Sequence, residues 1–143
     1  MMNLEEIKQI LPHREPMLLV EQAELIHESK AIGRYTVKGN EFFLQGHFPG
    51  NPVTPGVILC EMMAQAACTL FHGKVEGATP YFTSLDKVRF KNPVRPGDTF
   101  ETEVELIKVR DPFYFAKAKG RVDGKLCASA EFSFALVRPE TNK

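Results

Sequence analysis

Apolar and polar positions alternate along this chain with two different periods. In residues 3–11, NLEEIKQIL, Leu4, Ile7 and Leu11 fall on one helical face, and Asn3 can cap the first turn. Leu18 to Ile26 and Lys30 to Val37 read as strands around His27-Glu28-Ser29. Asn40 to Gly56 has neither period. It holds Gly46, Pro49, Gly50, Pro52, Pro55 and Gly56, and so predicts a long loop held to one path.

Thr54-Pro55-Gly56 predicts a helix start, with Thr54 as N-cap and Pro55 at the first helical position, and the helix runs to about Phe71. Its body, VILCEMMAQAACTLF, is apolar on nearly every face, so it is a buried helix that other elements must wrap. Those elements follow. Thr79 to Phe90 is strand-like, and Thr99 to Val109 sets Phe100, Thr102, Val104 and Leu106 against Glu101, Glu103 and Glu105. Phe113 to Val122 alternates Ala116 and Ala118 with Lys117 and Lys119. Asp123-Gly124 is a two-residue hairpin signal, and Leu126 to Val137 alternates again. The predicted class is α+β, an antiparallel sheet curled around one central helix.

Composition narrows the function without naming it. The chain has 143 residues, 43% apolar and 25% charged, which predicts one folded domain over residues 1–143. No repeat, linker, secretory leader or 18-residue apolar stretch is legible, so the expectation is a cytoplasmic protein with no membrane insertion. Cys60, Cys68 and Cys127 have no metal-ligand spacing and read as small buried hydrophobes in a reducing compartment. Net charge is zero, which argues against a nucleic-acid partner. The charge is nevertheless uneven: residues 1–70 carry 5 Lys/Arg and 8 Asp/Glu, residues 71–143 carry 13 and 10. The second half is the place to seek an anionic partner.

Three features do not belong to a plain core. Glu61 and Gln65 lie four apart on one face of the apolar helix, a stripe that Thr69 and His72 continue. A carboxylate there is either a structural hydrogen-bond partner or an acid with a raised pKa. His47, in Gly46-His47-Phe48-Pro49-Gly50, is either a surface histidine or a titratable group placed by a rigid loop. Gly56 offers an uncluttered backbone N–H at a helix start, where developing negative charge is stabilised. Together these are a base, an acid and an oxyanion donor, as needed to remove a proton beside a carbonyl and expel a hydroxyl.

The run Gly46-His47-Phe48-Pro49-Gly50-Asn51-Pro52-Val53-Thr54-Pro55-Gly56-Val57, followed by Glu61 and Ala64-Gln65, resembles the signature of the (3R)-hydroxyacyl-[acyl carrier protein] dehydratases of type II fatty acid synthesis, FabZ type. Leu11-Pro12-His13-Arg14 with Leu18-Leu19-Val20, Asp86 to Phe90 through Asp98, and Val122 to Lys125 agree with it. The resemblance implies a hot-dog fold, a helix as sausage in a sheet as bun. It implies homodimers with active sites shared across the interface, and trimers of such dimers. His47 is then the general base, Glu61 the acid for the departing hydroxyl, and Gly56 the donor to the thioester carbonyl. Gln65 holds the carboxylate; Tyr81, Phe48 and Met62 line the acyl tunnel. No metal and no cofactor is implied. The partner is an acidic acyl carrier protein, for which the basic cluster Lys87, Arg89, Lys91 and Arg95 is the expected docking surface.

Two departures, Glu15 and Cys60, touch none of these residues. Glu rather than Asp as the acid favours the simple dehydratase over a bifunctional dehydratase-isomerase. A hot-dog thioesterase and a non-catalytic acyl-binding module are the competing readings. The thioesterase would not need His47, and the regulatory module would carry a DNA-binding segment for which the head before Leu18 has no room.

Overall fold

A computed structural model describes residues 1–71 and 79–137. Helix α1 (Leu4–Ile10) opens with a capping box: Asn3 accepts from the Glu6 N–H, and Glu6 accepts from the Asn3 N–H. Strands β1 (Gln22–His27) and β2 (Lys30–Thr36) form a hairpin, and a single 3₁₀ turn at Phe42–Leu44 interrupts the loop before helix α2 (Gly56–Cys68). Strands β3 (Thr79–Phe90), β4 (Thr99–Arg110), β5 (Phe113–Val122) and β6 (Lys125–Val137) complete the described residues.

All six strands join one antiparallel sheet in the order β1-β2-β4-β5-β6-β3. β4, β5 and β6 are the expected meander, turning at Asp111-Pro112 and Asp123-Gly124. β3 pairs with β6, not with its sequence neighbour β4, and so lies at the sheet edge. The sheet curls over α2, which packs against β2, β4, β5 and β6. Alternation in β4 does what its pattern predicts: Phe100, Thr102 and Val104 are buried and the intervening glutamates are not. Two close approaches fix the curl. A Cβ on Gly33 would lie 2.7 Å from the Ala66 methyl carbon, and one on Gly120 would lie 1.8 Å from the Phe100 ring.

Two boundaries differ from expectation. Leu18, Leu19 and Val20 are buried but extend no strand, because the Leu19 N–H donates to the Gln65 side chain instead of to a strand partner. Thr54 is not the N-cap of α2. Its N–H donates to the Val94 carbonyl at 2.8 Å, which draws it into the core, and Pro55 takes the capping position without a side-chain bond. The Thr54 hydroxyl finds no partner among the described residues. The helix ends at Cys68, continues as a 3₁₀ turn over Thr69–Phe71, and His72 lies outside the described residues. Among the described residues no helix is long and apolar enough to cross a membrane.

Candidate active site

The polar stripe on α2 is a built site. Gln65 is 1% exposed, yet its amide is satisfied by the chain before β1. Its Nε2 donates to the Met17 carbonyl at 2.7 Å, and its Oε1 accepts the Leu19 N–H at 2.7 Å. The remaining Nε2–H reaches one turn back and donates to Oε2 of Glu61 at 2.8 Å. Gln65 thereby locks the N-terminal segment to the helix and fixes the Glu61 rotamer in the same act.

A second group converges on that carboxylate. His13 Nε2 lies 3.5 Å from Glu61 Oε2, and the two side chains are 20% and 22% exposed. Sequence reading assigns His13 no role in the site, since neither helical nor strand periodicity marks it and its partner lies far along the chain. Arg14 holds its backbone, with Nη1 donating to the Leu11 and His13 carbonyls and Nη2 to the Lys8 carbonyl.

Glu61, His13 and Gln65 open on a cavity of about 30 Å³, closed by Cys68, Pro80, Phe82 and Phe134. That space is on the scale of a water molecule, not of an acyl chain. Burial, with the Glu61 charge adding, pushes the Cys68 thiol up, so it stays protonated beside the carboxylate.

His47 stands on the loop before α2. Gly46 and Gly50 adopt φ of +84° and +72°, angles that glycine supplies without strain. The loop then closes on itself. The His47 N–H donates to the Leu44 carbonyl, the Val53 N–H donates to the His47 carbonyl, and Phe48 and Asn51 exchange backbone bonds. His47 Nδ1 lies 3.0 Å from the Val53 carbonyl oxygen. A carbonyl only accepts, so Nδ1 carries the hydrogen, which leaves Nε2 as the nitrogen that holds the lone pair in the neutral ring. The Phe48 ring stacks on the imidazole at 4.2 Å. Within one chain no hydrogen bond or ion pair joins His47 to Glu61 among the described residues, and His47 does not line the Glu61 cavity.

Gly56 begins α2, and Pro55 provides no side-chain cap. The Ile58 and Leu59 N–H groups both turn back to the Pro55 carbonyl, and among the described residues those of Gly56 and Val57 have no acceptor. Gly56 and Val57 line an open groove together with Thr54, Phe90 and Lys91. Tyr81 and Phe48 are 57% and 52% exposed, whereas Met62 is 2% exposed and belongs to the core.

The basic cluster divides. Lys87 and Arg89 line a groove of about 520 Å³ on the outer sheet face, where Lys30, Lys117 and Lys119 add charge and glutamates of β4 and β6 offset it. Lys87 pairs with Glu131 at 3.7 Å. Lys91 lines the groove at the helix start, and Arg95 donates to the Asn51 side chain at 2.7 Å, on the His47 loop. The outer groove is far larger than the Glu61 cavity, but neither His47 nor Glu61 lines it, so it is not where the candidate acid and base could act.

Residues 11–131 match the family model described as a FabA-like domain. The 3-hydroxyacyl-[acyl-carrier-protein] dehydratase FabZ of Clostridium perfringens (strain SM101 / Type A) is 52% identical over 138 residues, covering 95% of this chain and 99% of the relative. The FabZ dehydratase of Thermomicrobium roseum is 45% identical over 143 residues, covering 98% and 96%. Among solved structures, a chain of the dehydratase heterocomplex ApeI:P from Xenorhabdus doucetiae superposes with a TM-score of 0.79 at 21% identity, covering 94% of this chain and 91% of that one. A hypothetical thioesterase protein with coenzyme A from Streptococcus pneumoniae TIGR4 gives 0.63 at 10% identity, covering 84% and 88%, which shows a shared hot-dog fold and nothing more. The family match across most of the chain, with relatives about half identical over nearly their whole length, makes this chain a member of the FabA-like family, on its FabZ-type 3-hydroxyacyl-[acyl-carrier-protein] dehydratase branch.

Proposed function

We propose that this chain dehydrates (3R)-3-hydroxyacyl thioesters carried on an acyl carrier protein to the trans-2-enoyl thioesters, as an elongation step of fatty acid synthesis. The observation that carries the reading is the Glu61 carboxylate. It is pinned on one oxygen at a small cavity, in a chain 52% identical to a dehydratase of that name.

His47 Nε2 takes the α-proton of the thioester as the Cα–H bond breaks. The Gly56 N–H, with Val57 beside it, stabilises the charge that develops on the thioester oxygen, at about 3–4 kcal/mol for one such donor. Glu61 gives its proton to the β-hydroxyl, the C–O bond breaks and water leaves as the double bond forms. His47 ends protonated and Glu61 ionised, and the proton returns through water to reset the pair. No step calls for a redox group.

The base and acid come from different copies. Among the described residues no bond joins His47 to Glu61 within one chain, and a cavity of about 30 Å³ holds no acyl chain, so a second copy supplies the missing wall and the base. The edge strand β3 supports that pairing, since it leaves Tyr81, Phe82, Leu85 and Phe90 between 42% and 57% exposed beside an unpaired backbone edge. Tyr81 and Phe48, both exposed, then guide the acyl chain, while Met62 stays in the core rather than lining the tunnel. Lys91 and Arg95 meet the carrier's acidic surface at the mouth, and Lys87 and Arg89 add long-range attraction from the outer face.

The test is a spectrophotometric assay with crotonyl- and 3-hydroxydecanoyl-carrier thioesters. Reversible hydration of the first and dehydration of the second, without release of free carrier thiol, are expected. Hydrolysis without hydration would overturn the reading in favour of a thioesterase, and migration of the double bond would identify the isomerising type.

A further inference from the structure

We infer that His13 is a positioning residue of the reaction: through its Nε2–H it holds the Glu61 carboxyl in the orientation from which the proton is delivered. The inference rests on the reading of Glu61 as the acid. It is carried by three observations that packing alone does not explain.

The first is convergence on one atom. Gln65 Nε2 and His13 Nε2 both approach Oε2 of Glu61, at 2.8 and 3.5 Å, while Oε1 has no partner among the described residues. Gln65 anchors one oxygen, His13 stands beside that same oxygen, and the other is left for a substrate hydroxyl. The second is the tautomer. At 3.5 Å the contact is longer than a hydrogen bond; for the carboxylate to gain from it Nε2 has to carry hydrogen, which in the neutral ring leaves Nδ1 as an acceptor. That Nδ1 is buried and has no partner among the described residues. A buried polar atom without a partner is disfavoured, and such atoms persist where the ring is held for another purpose. The third is the mounting. The Arg14 guanidinium bonds the carbonyls of Lys8, Leu11 and His13 and fixes the turn that presents the imidazole.

Among the described residues the titratable groups around the carboxyl are few. His13 comes from the N-terminal segment, and the Cys60 and Cys68 thiols share Glu61's helix. β3 and β6 present Pro80, Phe82 and Phe134, none of them ionisable. Apart from the amide of Gln65 and the weakly donating thiols, His13 is the described side chain near the carboxyl that can donate to it.

The test compares His13→Leu with His13→Gln, two side chains of similar bulk, of which only glutamine can place an N–H near the carboxyl. Glu61→Gln serves as the control, and thermal unfolding confirms that each variant is folded. kcat/KM is measured against pH with 3-hydroxydecanoyl-carrier thioester. His13→Leu is expected to lose about tenfold to a hundredfold, the usual loss when an orienting partner is removed. The limb of its profile that reports Glu61 should also move to higher pH, because a donor to the ionised carboxyl is gone. His13→Gln should keep that limb in place and recover most of the rate. A rate lowered equally at every pH in both variants, or no loss in either, would overturn the inference while leaving Glu61 as the acid. Should Glu61→Gln itself retain full activity, the acid reading and this inference fall together. If His13→Leu does not fold, a moved limb in His13→Gln overturns the inference and an unmoved one, with most of the rate kept, supports it.

Discussion

Gly33 of β2 and Ala66 of α2 meet so closely that a methyl group on the glycine would stand 2.7 Å from the alanine's own. Neither backbone can yield without moving the helix off the sheet. Gly33→Ala is expected to destabilise the protein by roughly 2–3 kcal/mol, the scale of overpacking in a filled core. Urea unfolding reads this directly, as a lower midpoint with an unchanged slope.

Gln65 answers for both stability and chemistry. Replacing it with leucine keeps the volume and deletes three hydrogen bonds, leaving the Leu19 N–H and the Met17 carbonyl without their partner. Each orphaned group costs about 1–3 kcal/mol. Gln65→Leu should therefore unfold at markedly lower denaturant, and at a temperature where it is still folded it should also be slower. Loss of stability with an unchanged kcat would show that holding Glu61 is not part of its role.

The shared-site reading predicts complementation. His47→Ala and Glu61→Ala should each lose about 10²–10⁴-fold as homo-oligomers, the range for a missing general base or acid. Mixed and allowed to exchange subunits, they should regain activity, since a mixed pair contains one site with both groups intact. Absence of recovery after exchange demonstrated by mass spectrometry would count against the cross-copy arrangement.

Glu41 anchors the chain before the His47 loop. Burial would raise its carboxyl, but the Lys38 N–H, the Tyr35 hydroxyl and the Gly39 N–H all donate to it and hold it below the usual carboxylate range. Its folded pKa thus lies below the unfolded value of about 4.3. The ionised form stabilises the fold fully above that value, and the contribution fades as pH falls toward the folded pKa. Glu41→Gln should lose about 1 kcal/mol at neutral pH, a partly exposed cluster being screened by solvent. Its deficit relative to the parent should shrink as pH falls from the unfolded value toward the lower folded one, where Glu41 also becomes neutral. Chemical denaturation at neutral and acidic pH checks both.

What could be read from the residues alone was set by how far their partners lie along the chain. β5 is bounded by the turn residues Asp111-Pro112 and Asp123-Gly124, and its observed limits, Phe113 and Val122, are the predicted ones. The start of α2 was displaced because Val94, forty residues on, claims the Thr54 N–H. Leu18 to Val20 look like a strand and are not one, because a side-chain amide on α2 replaces the neighbouring strand. Glu61 and Gln65 are legible because polarity on an apolar helix is conspicuous. His13 is not, since only the fold brings it to Glu61. Lys87, Arg89, Lys91 and Arg95 look like one cluster in sequence, but β3 ends at Phe90 and the chain turns, so the last two emerge elsewhere.

If a second copy covers it, as the shared-site reading proposes, the unpaired edge of β3 sets a clock for the newly made chain. The free side of this twelve-residue strand, with Tyr81, Phe82, Leu85 and Phe90 beside it, forms a template that does not discriminate between a correct second copy and any other extended segment. A chain that has finished folding is thus still at risk until that edge is covered, and the interval shortens as its own concentration rises. Dilution should lower the apparent melting temperature by mass action and divert the lost protein into aggregate, so the yield of soluble protein depends on how many copies are made together.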